Sequence, residues 1–491
     1  MEDAAAFGTL NYAILVAYIT AMIGVGVLFA RRQKSAQDYF LGGRKLPWLA
    51  VGMSMYASVT SAMTFMGLPG LAFSQNIALI VVALMSPLIA PVLIFLIYPL
   101  YRKLNLTTSY EYIALRFGRN ARVAVSGLFV LARLSWLGTV IYAPALALHV
   151  TTGIPQVVAI VIIGLLATVY CALGGLSAVV WTDVPQFLIM MGGAIWIITL
   201  LSGMVPDGLA GILREGHMAD KLAVFDWTLQ PGAMTALGVA IAYAFMLVQD
   251  YGVDQVSVQR LMAVKSDRGV TRAIIFNAAV DFFIISLLLV IGLGLFVFYQ
   301  AHPGSLPEGV VGDRVLPWFI LHELPEGVSG LIIAALFAAA MSSVDSGLNS
   351  LSTVILNDIV PSDRHPPTVH AARILTIALG IFATVVAMFI YQHIGGIIKA
   401  FYTFMGLFSA PVLALFLLGM ITRRASFAGW LPAAVLSILM ILTLKRTEAL
   451  HEIHFFPLST LFTITIGYAL SRILPAGAAN PAYRWRGVLR P

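Results

Sequence analysis

Residues 327–356 read GVSGLIIAALFAAAMSSVDSGLNSLSTVIL, and this stretch decides how the rest of the chain is understood. It is apolar for longer than the roughly 20 residues that a helix needs to cross a bilayer. Yet Ser342, Asp345, Ser346 and Asn349 stand at i, i+3, i+4 and i+7, and Ser350 and Thr353 continue the same side. That spacing places a stripe of oxygen-bearing side chains on one face of an otherwise apolar helix. Small residues at helix contacts would explain the Ser, Gly and Ala, but they do not explain Asp345. A carboxylate at membrane depth costs several kcal/mol unless it meets a cation or a proton. The stretch therefore reads as a membrane helix that presents ion ligands.

The composition agrees. Of 491 residues, 60% are hydrophobic and only 10% charged, and mean hydropathy is +0.93. Soluble domains hold about 25% charged residues, so a soluble enzyme, a nucleic-acid binder and a secreted disulfide scaffold are excluded as readings of the whole chain. Cys171 is the single cysteine, which excludes an intrachain disulfide. The start MEDAAAFGTLNY lacks the basic opening of a cleavable signal peptide, so the first apolar run is expected to stay as a span. The net charge of +7 is explained by Lys and Arg gathering in cytoplasmic loops rather than by an acidic partner.

Apolar runs recur near 10–30, 47–72, 77–101, 121–150, 154–174, 176–204, 236–257, 274–299, 327–356, 372–392, 396–421, 427–444 and 457–473, giving about thirteen helices. With the N-terminus outside, the inside segments hold 22 Lys and Arg, among them Arg116, Arg122 and Arg260. The outside segments hold five: Arg214, Lys221, Arg314, Lys445 and Arg446. The bias predicts N-out and C-in topology.

Two further runs carry polar breaks. In 51–72, VGMSMYASVTSAMTFMGLPGLA, Ser58, Thr60, Ser61 and Thr64 sit among small residues ahead of Gly67, Pro69 and Gly70. In 244–260, AFMLVQDYGVDQVSVQR, Gln249, Asp250, Gly252, Asp254 and Gln255 interrupt the second half. Paired interruptions point to the substrate site of an inverted-repeat transporter, where freed carbonyls coordinate a cation; for the first, a plain kinked helix is the alternative. Asp183, in AVVWTDVPQF, is either a helix-end charge facing the cytoplasm or a cation ligand. Asp281 has no proposed partner and reads as a structural or helix-end residue. No Walker loop, CxxC or HExxH pattern is present, so uphill transport would need an ion gradient.

At these segments the chain resembles the sodium:solute symporter family, over roughly residues 10–425. KSAQDYFLGGRKLPWLAVGMSMYAS, TTSYEYIALRFG, YAPALALHVTTG, LGGLSAVVWTDVPQF, DQVSVQRLMAVKS, GLIIAALFAAAMSSVDSGLNS and LFLLGMITRR carry the resemblance. It implies an all-α integral membrane protein with a LeuT-type core of two inverted five-helix repeats. The whole of 1–491 is then one transporter domain: an extra first helix and loop (10–45), the core (46–425), two C-terminal helices (426–473) and a cytoplasmic tail (474–491). It further implies sodium as the coupling ion and a small organic solute, of the monocarboxylate or sugar class, imported by alternating access across the plasma (inner) membrane. The bilayer, sodium and solute are the expected partners, with no nucleic acid. The sequence sets no oligomeric state; a monomer suffices.

Matched onto this chain, the family's sodium ligands are the carbonyls of Ala57, Thr60 and Ala339 and the hydroxyls of Ser342 and Ser343. A second sodium site, held by some members, falls on Asp183, Asp345 and Ser346; Asp345 stands where a bacterial sialic acid relative has Ser. Where those relatives place an Arg for the carboxylate, this chain has Trp136, with Arg133 one turn away. By position, Ser58, Ser61, Thr64, Trp136, Phe245, Gln249 and Asp250 would line the solute cavity. The alternatives are a proton-coupled or uncoupled carrier, with Asp345 or Asp183 taking the proton, and a non-transporting sensor. A sensor would be expected to carry a signalling domain that the tail after 473 is too short to form.

Overall fold

A computed structural model describes residues 7–30, 42–222, 226–228, 230–360, 368–393, 397–474 and 479–489. In chain order its helices are α1 Thr9–Ala30, α2 Trp48–Val59, α3 Ala62–Ser74, α4 Ile80–Leu104, α5 Ser109–Phe117, α6 Arg119–Thr152, α7 Gln156–Met204, α8 Gly208–Met218, α9 Ala236–Gly252, α10 Gln255–Met262, α11 Asp267–Ala301, α12 Val315–His322, α13 Val328–Ile359, α14 Val369–His393, α15 Phe401–Ile421, α16 Phe427–Thr447, α17 Phe455–Ile473 and α18 Trp485–Leu489. Five of the 22 inside Lys and Arg, namely Arg31, Arg32, Lys34, Arg364 and Arg490, lie outside the described residues.

Nine of the described helices are long and apolar enough to span a membrane, and two bent pairs, α2 with α3 and α9 with α10, raise that to eleven. Two shorter apolar stretches, Thr9–Val25 and Gln156–Val169, fall where further spans were expected. Leu88, Phe95, Leu188, Ile381 and Leu439 stand exposed on outward faces, which is where a bilayer takes up apolar surface without penalty. The chain is a multi-pass membrane protein.

Both expected interruptions are real, and the plain-kink alternative for the first fails. Pro47 caps α2; Thr60 and Ser61 are extended; and α3 leaves at 60° to α2. The run Val59-Thr60 ahead of Ser61 favours the stop, since β-branched residues lose side-chain freedom in a helix. The second break bends by 47°. There Asp254 caps α10, its Oδ1 accepting from the Val256 amide at 2.9 Å. The runs expected at 154–174 and 176–204 join in α7 through Gly175, whose φ of 57° is a left-handed conformation that suits glycine.

α13 lies at the centre, against α7, α6, α1 and α2, and is buried along nearly its whole length. α10 packs on both α2 and α13, bringing the two breaks onto the central helix. α11 supports the first break from behind. Gly292 permits that contact, because a Cβ there would stand 2.2 Å from the Pro69 carbonyl oxygen. α16 and α17 pair with each other and dock on α15.

Candidate functional site

Where α2 stops, the Ala57 carbonyl turns to α13. Ser342 Oγ donates to it at 2.6 Å and also lies 3.2 Å from the Ala339 carbonyl. Ser343, the next residue, is fully buried and its Oγ has no hydrogen-bond partner. Thr60 stands at the break, 6% exposed. Carbonyl and hydroxyl oxygens from a broken helix and its neighbour form a hard, neutral donor set, which suits a small alkali cation. The unpartnered Ser343 oxygen is the informative atom: left unmade, such a group costs about 1–3 kcal/mol. Of the five residues assigned to the first sodium position, Ala57, Ala339 and Ser342 meet at the α2–α13 contact; Ser343 adjoins Ser342 in sequence, and Thr60 lines the neighbouring cavity.

Asp183 is wholly buried, which removes the reading in which it faces the cytoplasm. It anchors a polar knot one turn from the first seam. Its Oδ2 accepts from Ser54 Oγ at 2.5 Å and lies 3.3 Å from Ser58 Oγ. Ser58 Oγ is 2.8 Å from Ser346 Oγ, and Ser346 Oγ donates to Asp345 Oδ1 at 3.2 Å. Into this knot projects Arg260, 1% exposed. Its Nη2 pairs with Asp183 at 3.3 Å and contacts Ser346 Oγ, while Nε donates to Ser54 Oγ at 2.8 Å. Arg260 was counted among cytoplasmic loop charges; it is instead the countercharge of the residues assigned to a second sodium. Arg116, counted likewise, is buried at the end of α5 and donates to the Gly419 and Thr422 carbonyls. One guanidinium balances one of the two carboxylates here. The other has no countercharge in this knot, and Asp183 Oδ1 and Asp345 Oδ2 both lack a partner.

Beside the first break a cavity opens between α3, α6, α9 and α15. Ser61, Thr64, Trp136 and Asp250 line it as expected. Three other assigned residues do not. Ser58 is consumed by the Asp183 knot, and Gln249 is buried beside the cavity rather than on its wall. Phe245 faces a different groove, shared with Leu96, Val248 and Leu417, because α9 turns it away from Asp250. The sequence reading missed Tyr243, Tyr402, Phe401, Arg133, Asp254, Ser257 and Asp281, all of which line the cavity. Asp281 is held by Ser86, Tyr251 and Asn277 at 2.7, 2.8 and 3.2 Å, partners that no spacing in the chain discloses.

Two discontinuous helices laid across one buried central helix, with oxygen donors at the crossing, define a secondary transporter of the broken-helix class. Residues 39–436 match the sequence profile of the Sodium:solute symporter family, and the chain belongs to that family. It is 34% identical over 468 residues to the sodium/sialic acid symporter of Proteus mirabilis, covering 94% of each chain. The human sodium/iodide cotransporter is 30% identical over 435 residues, 86% of this chain and 67% of that one. In structure it resembles a substrate-bound, outward-open Na+-coupled sialic acid symporter, with a TM-score of 0.90, 32% identity and coverage of 96% of this chain and 100% of the other. A nucleobase-cation-symport-1 family transporter follows at a TM-score of 0.58 and 14% identity, a likeness of fold alone. These named relatives are transporters, and the chain is accordingly a sodium-coupled symporter.

Proposed function

We propose that this protein imports a small organic solute by sodium-driven alternating access, crossing an inner or plasma membrane thirteen times with N outside and C inside. Sodium is a transported substrate held by the carbonyls of Ala57, Thr60 and Ala339 and the hydroxyls of Ser342 and Ser343. A second cation is shared by Asp183, Asp345 and Ser346. The observation that carries the reading is the buried Ser343 oxygen without a partner, beside a carbonyl freed by the helix break. Sodium bound there bridges α2 to α13, and so stabilises the arrangement in which the cavity receives solute. Its release where sodium is scarce lets the two helices part.

The driving force is sufficient. One charge moved through 100 mV supplies about 2.3 kcal/mol, and a tenfold sodium gradient about 1.4 kcal/mol more. Uptake into proteoliposomes under sodium, lithium, potassium and proton gradients tests the proposal. Acceleration by sodium alone supports it; a rate indifferent to sodium and driven by a pH gradient would assign the unpaired carboxylate of the Arg260 knot to a proton. Sialic acid, an acidic sugar, is carried by the Proteus mirabilis relative as named. Sodium coupling transfers to this chain with the ligand set, whereas the solute must be read from the cavity.

A further inference from the structure

The cavity has a charge balance of its own. Asp250, Asp254 and Asp281 line it against one guanidinium, Arg133, among the described lining residues. Arg133 is already committed: it ion-pairs with Asp254 Oδ2 and lies over the Trp136 ring at 4.4 Å. The other oxygen of Asp254 caps α10, so the charge of Arg133 is already offset by a carboxylate of the same wall. Asp281 is fixed by three donors on its Oδ2. Asp250 lies within electrostatic reach of Asp254, Arg133 and Asp281, yet no hydrogen bond to it is formed by any described side chain. Tyr243, Phe401, Tyr402 and Trp136 line the same cavity, and the two tyrosine hydroxyls are 3.0 Å apart. Two buried hydroxyls on this wall, Ser61 Oγ and Ser257 Oγ, also lack partners.

We propose that the transported solute bears a positive charge, an ammonium group seated against Asp250 within the aromatic wall, with Ser61 and Ser257 taking its polar substituents. Three carboxylates face one guanidinium that is already paired, and an organic cation is the ligand that this excess of acidic groups favours. Aromatic faces add to the attraction, since a ring quadrupole draws a cation and gives nothing to an anion. A carboxylate would meet Asp250 and Asp281 as like charges, and at Arg133 would compete with Asp254 for one guanidinium.

This inference rests on the reading of the cavity as the solute site of a sodium symporter. The test is a thermal-shift and uptake panel on the full-length protein, with and without sodium. The panel holds choline, putrescine, agmatine and glucosamine as cations, galactose and inositol as neutral solutes, and lactate and N-acetylneuraminate as anions. The expected result is sodium-enhanced binding of at least one cation and of no anion, with affinity for that cation reduced at least tenfold by Asp250→Asn. Binding of an anion, binding confined to neutral solutes, no binding of any cation, or a cation affinity unmoved by Asp250→Asn overturns it. If a cation binds and is carried without regard to sodium, the symport reading fails while the charge assignment stands.

Discussion

Replacing Ser343 by Ala removes one hydroxyl from the α2–α13 crossing, and the structure sets opposite effects on stability and on sodium. That oxygen is fully buried and has no hydrogen-bond partner in the protein, which without an ion costs about 1–3 kcal/mol. The sodium-free variant should therefore melt at or above the wild-type temperature. The ion loses a ligand worth about 1.5–3 kcal/mol, the range for hydrogen bonds to charged groups, which is roughly ten- to 150-fold in sodium affinity. At a sodium concentration 100 times its Kd, the wild type gains about 2.7 kcal/mol of stability. A thirtyfold weaker variant at the same concentration gains only about 0.9 kcal/mol. Melting curves across a sodium titration read both effects. Ser342→Ala is the control, because its hydroxyl is engaged by the Ala57 carbonyl at 2.6 Å, and its loss should cost about 1 kcal/mol even without sodium. An unchanged sodium midpoint in Ser343→Ala, or a clear loss of sodium-free stability, would refute the assignment of that oxygen to the ion.

Arg260→Met strips the guanidinium from a knot of two buried carboxylates and should destabilise the fold by about 3–5 kcal/mol. Adding Asp183→Asn should restore more than half of that loss in thermal unfolding, and no recovery would mean that Arg260 acts through packing alone. Gly292→Ala would drive a methyl to within 2.2 Å of the Pro69 carbonyl. Because both sides are backbone, α3 and α11 must separate, at a cost of about 2 kcal/mol or more, seen as a lowered melting temperature. Lys221 donates to the Phe73 and Gln75 carbonyls at 2.8 Å each and lies over the Phe296 ring at 4.2 Å. Lys221→Met keeps the aliphatic stem but leaves the end of α3 uncapped; a loss of about 1–2 kcal/mol is expected, with Lys221→Arg retaining most of the stability.

The amino-acid order alone determined that this chain lives in a bilayer, where its helices lie and where two of them break. Hydropathy over a span-length window, the 3.6 period of the Ser342 stripe and the polar interruptions around Thr60 and Gly252 are local properties, and local physics suffices to read them. It also supplied the α2–α13 oxygens, through motifs whose resemblance to a family was long and specific. What it could not supply was pairing between distant residues. Arg260 looked like a loop charge because its neighbours in sequence are polar, whereas its partner, Asp183, is 77 positions away. Phe245 and Asp250 looked equivalent on one interrupted segment, and only the direction in which α9 packs sends the first to an outer groove and the second to the cavity. Arg133 likewise meets Asp254 only through tertiary packing. A buried charge is defined by what surrounds it in space, so the charge of the cavity belongs to the folded structure and not to any stretch of the chain.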